Sequence, residues 1–276
     1  MATTPHPDKQ IMGGNQPRRA EQSPLLNARV IGQGTRAVVM LQGWFGDHSV
    51  YQPMFPYLDT ETFTYVFVDF RGYGKSRDIP GSYTTTEMVE DVIALMDKLG
   101  WQRFDVVGHS MGGKIAQIIA ARSPDRVRSA VGVTPVPASG LDAEPQVWPV
   151  FELSFTDDTQ RHSLIDFSTN HRLPHRWVSD IVQQSRAACD PQVFEAYFQS
   201  WAKDDCSAET YNCTVPLLLL IGEHDPALTL PIMDSTCVEW FVNVQVELLE
   251  GCGHYPMQET PVYLVGAIER FLSKQN

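Results

Sequence analysis

Ser110 sits in Gly108-His109-Ser110-Met111-Gly112, and a serine set between two such glycines is a candidate nucleophile. Its hydroxyl is too weakly acidic to attack a carbonyl unaided near neutral pH. It needs a base within hydrogen-bond reach and a further group that holds the base in the right tautomer. On a sharp turn the hydroxyl would be pushed out at a sheet edge, because a side chain at either glycine position would collide with neighbouring backbone. A helix starting directly after the serine would aim its first amides at the site, where they favour negative charge developing on a substrate oxygen. The chemistry in view is acyl transfer.

The elements that must position this turn can be read on both sides of it. The apolar run Phe104 to Val107 enters as a strand, and Lys114 to Ala120, rich in small and aliphatic residues, leaves as a helix. Leu26 to Ile31, Ala37 to Leu41, Tyr65 to Phe70, Val127 to Val133, Pro216 to Ile221 and Val244 to Leu249 are further strands. Thr84-Thr85-Thr86-Glu87 is a capping box, a hydroxyl for the third amide and a carboxylate returned to the first. Met88, Val92, Leu95 and Leu99 follow it at helical spacing, and Gly100 closes the helix. Strands alternating with helices predict an α/β fold, a mostly parallel central sheet with helices on both faces. Its site should lie at the carboxyl ends of the strands.

With the G-x-S-x-G turn between a strand and a helix, the chain resembles the α/β-hydrolase family over roughly residues 25 to 275. In that family the acid and then the base follow the serine, each on a loop after a late strand. The resemblance implies Asp225 of Gly222-Glu223-His224-Asp225-Pro226 as the acid, preferred over Glu223 on the same loop. It implies His254 of Gly251-Cys252-Gly253-His254-Tyr255-Pro256 as the base. Seven other histidines compete, at positions 6, 48, 109, 162, 171, 175 and 224, and His109 is expected to point away from the nucleophile. The backbone amides of Trp44 and Met111 are implied as an oxyanion hole. Gln42 stands where the family usually has a loop-bracing histidine. Asp69-Phe70-Arg71-Gly72-Tyr73-Gly74-Lys75-Ser76 resembles the family's D-x-R-G-x-G-x-S segment, read as a structural turn whose Asp and Arg tie loops together.

Between residues 141 and 213 the strand pattern stops and helical runs take over, where the family inserts a helical cap. The expected organisation is a flexible tail over 1–24, a core over 25–140 and 214–276, and a cap over 141–213. Asp190-Pro191 starts one cap helix and Pro174 another. The cap aromatics Trp148, Phe151, Phe155, Trp177, Phe194, Tyr197, Phe198 and Trp201 are expected to form its core, and some of them the pocket wall.

What the resemblance implies is a serine hydrolase of small to medium carboxylic esters or lactones, working through an acyl-enzyme on Ser110 without metal or organic cofactor. Three alternatives share the fold: a carbon-carbon hydrolase, a cofactor-free dioxygenase, and a slow-turnover ligand sensor. The sensor is suggested by Leu26 to Gly34, which resembles the N-terminal segment of hydrolase-like signalling proteins.

Composition narrows the partners. A formal charge of -12 disfavours nucleic acid and anionic membranes, both of which call for a basic face. The substrate is therefore expected to be a small molecule. Five cysteines without C-x-x-C spacing read as ordinary thiols of a reducing compartment, and no stretch approaches the ~20 apolar residues of a membrane helix. A cytoplasmic protein is the expectation.

Overall fold

The structure is a computed structural model that describes residues 25–275. The tail expected over 1–24 lies outside the described residues. Seven strands form one sheet: β1 (Ala28–Ile31), β2 (Arg36–Leu41), β3 (Phe63–Val68), β4 (Phe104–His109), β5 (Val127–Val133), β6 (Leu217–Gly222) and β7 (Val244–Leu249). Their order is β1-β3-β2-β4-β5-β6-β7, with β1 antiparallel to β3 and every other pair parallel. The central strands are buried on both faces, as their continuous apolar runs require. Val39 and Leu41 of β2 face one core cluster, Val38 and Met40 the other.

Eleven helices lie among the described residues. The first face is covered by α1 (Thr85–Lys98) and α2 (Met111–Arg122), which follow β3 and β4. Thr84 accepts the Glu87 amide at 3.2 Å, as a capping box should. The Glu87 carboxylate, however, accepts from Tyr83 N at 2.7 Å, one residue before the expected amide. Tyr83 has φ 56°, which turns its N–H to that carboxylate. Gly100, at φ 81°, ends the helix. β3 is also two residues out of the expected register. Asp69 leaves the strand because its carboxylate gathers His48 and the Lys75 amide.

Five helices and no strand separate β5 from β6: α3 (Trp148–Leu153), α4 (Asp158–Ser168), α5 (His175–Ala188), α6 (Pro191–Lys203) and α7 (Ser207–Thr210). These helices, the segment expected as a cap, are fastened to the loop after β3 and to α1 and α2. Tyr197 donates its hydroxyl to Arg71 O at 2.8 Å, and Thr85 N donates to Ser200 Oγ at 2.6 Å. Lys114, buried on α2, donates to Trp201 O at 3.0 Å and to Asp204 O. After β6 come α8 (Leu230–Asp234) and α9 (Cys237–Trp240), and after β7 come α10 (Pro256–Glu259) and α11 (Pro261–Leu272). Leu264, Ile268 and Phe271 of α11 cover the second face of the sheet. All five cysteines are free thiols. Among the described residues no helix is long and apolar enough to cross a membrane.

Candidate active site

The turn between β4 and α2 puts Ser110 at φ 53°, ψ -116°, a conformation that L-residues avoid and that costs of order 1–3 kcal/mol. The two glycines around it are required by contact. A Cβ on Gly108 would lie 2.0 Å from Gly112 O, and one on Gly112 would lie 2.5 Å from Leu41 O. Ser110 N donates to Val133 O at 3.0 Å, which ties the strained residue to β5. The serine is thus held on a surface built by three strands and a helix start.

Asp225 follows β6 and His254 follows β7, and the structure brings them together. His254 Nδ1 lies 2.7 Å from Asp225 Oδ2. The other carboxylate oxygen accepts the amides of Ala227 at 2.9 Å and Leu228 at 3.0 Å. Burial pushes this carboxyl upward, but the His254 ring and the two amides outweigh burial and hold it below the usual carboxylate range. An ionised carboxylate accepts Nδ1–H, which leaves Nε2 of His254 as a bare acceptor. Neither that nitrogen nor Ser110 Oγ has a hydrogen-bond partner among the described residues, and both residues line the same cleft. Glu223, the competing acid, is occupied elsewhere, accepting Gly251 N at 2.8 Å.

The remaining described histidines lie apart from the Asp225 carboxylate. His48 pairs with Asp69, His171 with Asp166 and His224 with Glu223, while the rings of His162 and His175 lie 4.6 Å apart, tilted by 38°. His109 departs from expectation. It does not turn away from the nucleophile but lines the cleft beside it, and its Nε2 sits 2.7 Å from the carbonyl of His254. Because a carbonyl only accepts, Nε2 carries the proton, and Nδ1 is left buried without a partner. Burial, with the neighbouring His254, pushes the His109 imidazole down to about 3, so it stays neutral. Thr134 Oγ1 donates to the same carbonyl at 3.2 Å, and His254 N donates to Ser168 O of α4 at 3.2 Å. Main-chain contacts to the elbow and to the cap therefore fix the backbone of His254.

Trp44 lies in the loop after β2, and Met111 is the first residue of α2. Among the described residues nothing accepts the backbone N–H of either. The loop backs directly onto the serine, since a Cβ on Gly43 would stand 3.3 Å from Ser110 Cβ. Gln42 braces nothing, because both polar atoms of its amide are buried without partners. The bracing comes from elsewhere. Tyr73 donates to Trp44 O at 2.8 Å, Tyr51 to Leu41 O at 2.7 Å, and His48 N and Nδ1 both reach Asp69 Oδ1, at 2.9 and 2.7 Å. Asp47, His48 and Asp69 place ligand-type atoms within 4.8 Å of one another. Asp69 is spent on His48 and Lys75 N, and Asp47 on the amide of Ser49, so these donors serve the loop.

The cleft is narrow and open to solvent on one side. Trp44, Phe45, Val50 and Ile181 give it apolar walls, Tyr255 closes one side, and Gln184 of α5 stands at its mouth. None of the eight cap aromatics singled out from the sequence lines it. Instead Phe151, Phe155, Phe194, Phe198 and Trp201 gather round the Trp44 indole, the Phe194 ring stacked on it at 3.8 Å. Phe45 and Tyr255 were adjacent to the motifs and could have been picked out for that reason. Ile181 and Gln184 had no such signal, because only the docking of α5 decides which of its faces meets the serine.

The family described as the alpha/beta hydrolase fold matches residues 36–261. The chain is 29% identical over 222 residues to a 2-hydroxymuconate semialdehyde hydrolase of Pseudomonas putida, covering 75% of each chain. It is 24% identical over 261 residues to 3-oxoadipate enol-lactonase 2 of Acinetobacter baylyi, covering 92% of this chain and 96% of the relative. Among solved structures, the enol-lactonase of Burkholderia xenovorans superimposes with a TM-score of 0.76 at 24% identity, covering 90% of this chain and 96% of that one. An esterase of Exiguobacterium antarcticum superimposes with a TM-score of 0.80 at 20% identity, covering 90% and 95%.

Proposed function

The chain belongs to the α/β-hydrolase fold family, and from that premise we propose that it is a serine hydrolase of small to medium carboxylic esters or lactones, acting through an acyl-enzyme on Ser110. One observation carries the reading. The 2.7 Å contact from His254 Nδ1 to a carboxylate whose other oxygen is held by two amides leaves Nε2 as a free base in the cleft that Ser110 also lines. The relatives named as a hydrolase and an enol-lactonase support the reaction class.

In this reading His254 Nε2 takes the Ser110 proton as Oγ adds to the substrate carbonyl carbon. Asp225 steadies the imidazolium that forms. The amides of Trp44 and Met111 receive the developing oxyanion, a contribution that elsewhere is worth roughly 10²–10³ in kcat per donor. His254 then protonates the departing alcohol oxygen. Water, deprotonated by the same imidazole, adds to the acyl carbon and restores Ser110.

Steady-state turnover of p-nitrophenyl esters and of simple lactones tests the reading, with Ser110→Ala alongside. Many turnovers per chain are expected, with a loss of at least about 10³-fold in the variant. A single stoichiometric burst would favour the sensor alternative, and undiminished turnover in Ser110→Ala would remove the acyl-enzyme.

A further inference from the structure

We propose that the cleft selects uncharged substrates, esters or lactones whose acyl part bears no carboxylate. The proposal rests on the serine-hydrolase reading and narrows its substrate class. Its basis is where the cations of this fold are, and what they already hold.

Four cleft walls are apolar, and beside Ser110 and the Asp225-paired His254 the polar side chains that join them, Gln184 and the neutral His109, carry no positive charge. Among the described residues no lysine or arginine lines the cleft. Among the described residues three cations are buried, and each is committed. Arg161 is almost fully buried in the cap. Its guanidinium lies 3.8 Å over the Phe194 ring, and Phe194 stacks at 3.8 Å on Trp44, so aromatic rings stand between it and the cleft. It donates to Ser154 O at 3.0 Å, Ser185 Oγ at 2.8 Å and Phe155 O at 3.4 Å. Lys114 is spent on the carbonyls of Trp201 and Asp204 at the end of α6. Arg71 grips Asp91 with two hydrogen bonds, at 2.9 and 2.6 Å, and Pro80 O at 2.6 Å.

A carboxylate drawn into such a cleft would lose its water and meet no donor of opposite charge, which is the costly way to bury an ion. Residues 141–213 add to this, with twelve acidic side chains against five basic ones, a formal -7 over the cap that an anion would have to approach. An alkyl acyl chain meets neither obstacle. Trp44, Phe45, Val50 and Ile181 offer it dispersion contact and the removal of apolar surface from water. A neutral carbonyl or hydroxyl further along the substrate could be met by the amide of Gln184 at the mouth.

The test uses two esters of nearly equal size and the same leaving group, p-nitrophenyl valerate and mono-p-nitrophenyl glutarate, which differ by a terminal methyl against a carboxylate. The wild-type chain should prefer the valerate in kcat/KM by at least about tenfold, and the preference should persist at high salt, because it comes chiefly from lost solvation and missing donors. Gln184→Arg, which puts a guanidinium at the mouth, should shrink the valerate preference by about tenfold, read as the ratio of the two kcat/KM values within the variant. Equal rates on the two esters, or a preference for the glutarate, would overturn the proposal while leaving the serine-hydrolase reading in place. Turnover of neither ester would instead count against that reading, and the proposal would fall with it.

Discussion

Trp44 donates its indole N–H to the carbonyl of Phe194 at 2.8 Å, joining the loop after β2 to a helix of the cap across 150 residues of sequence. The same residue offers its backbone N–H to the proposed oxyanion hole. The cap therefore does more than cover the cleft. It holds Trp44 through Phe194, and it holds His254 through the carbonyl of Ser168.

Trp44→Phe should separate these roles. It keeps a ring for the aromatic cluster and keeps the backbone amide, but removes the buried indole donor that bridges to Phe194 O. Stability should fall by about 1–3 kcal/mol, read from urea unfolding. Because the loop is freed from the cap, kcat should fall by about tenfold with KM little changed. A variant with wild-type kcat would show that the amide is set by Tyr73 and the elbow alone.

Strain at Ser110 gives a second prediction. At φ 53° glycine is at ease and alanine is not. Ser110→Gly should therefore be more stable than Ser110→Ala by about 1 kcal/mol, with both inactive. Equal unfolding midpoints would mean that the turn relaxes once the hydroxyl is gone.

The buried imidazole of His109 should make the fold acid-sensitive. Its value in the folded protein, about 3, lies below the ordinary 6.5, so between those values the unfolded chain binds the extra proton and stability drops as pH falls. One group of this kind contributes a slope of at most about 1.4 kcal/mol per pH unit. His109→Asn should flatten the stability profile across this window relative to wild type, measured by unfolding from pH 7 to pH 4. Parallel profiles for the two proteins would mean that His109 titrates normally.

Asp91 and Arg71 form a two-pronged pair with both side chains nearly buried, and Arg71 O accepts the hydroxyl of Tyr197. Asp91→Ala leaves the guanidinium without its carboxylate and should cost about 3–5 kcal/mol. Thermal unfolding reads this directly, and a loss below about 1 kcal/mol would show that Glu87, 3.6 Å from the same guanidinium, takes over.

What could be read from the sequence was whatever a short motif carries. The elbow, the strand before it and the loops bearing Asp225 and His254 each announce themselves within a few residues, and the apolar runs of β2 to β6 are long enough to mark a sheet covered on both sides. Contacts chosen by packing were not legible. Nothing near His109 says that its ring reaches the carbonyl of His254, and nothing near Gln42 says that Tyr73 and His48 brace the loop instead. The cap aromatics carried the right apolar character, but whether they face the cleft or Trp44 depends on how α6 docks. Glu87 shows the same limit on a smaller scale, since the positive φ of Tyr83 sends its carboxylate one amide further back.

The most direct test of the account is fluorophosphonate labelling of the wild-type chain and of His254→Ala, with the modified peptide located by mass spectrometry. A nucleophile activated by His254 should yield a single adduct on the peptide containing Ser110, formed at least about 10³-fold more slowly in the variant. An adduct on another residue, no adduct, or equal rates in the two proteins would contradict the assignment of Ser110 and His254 as nucleophile and base.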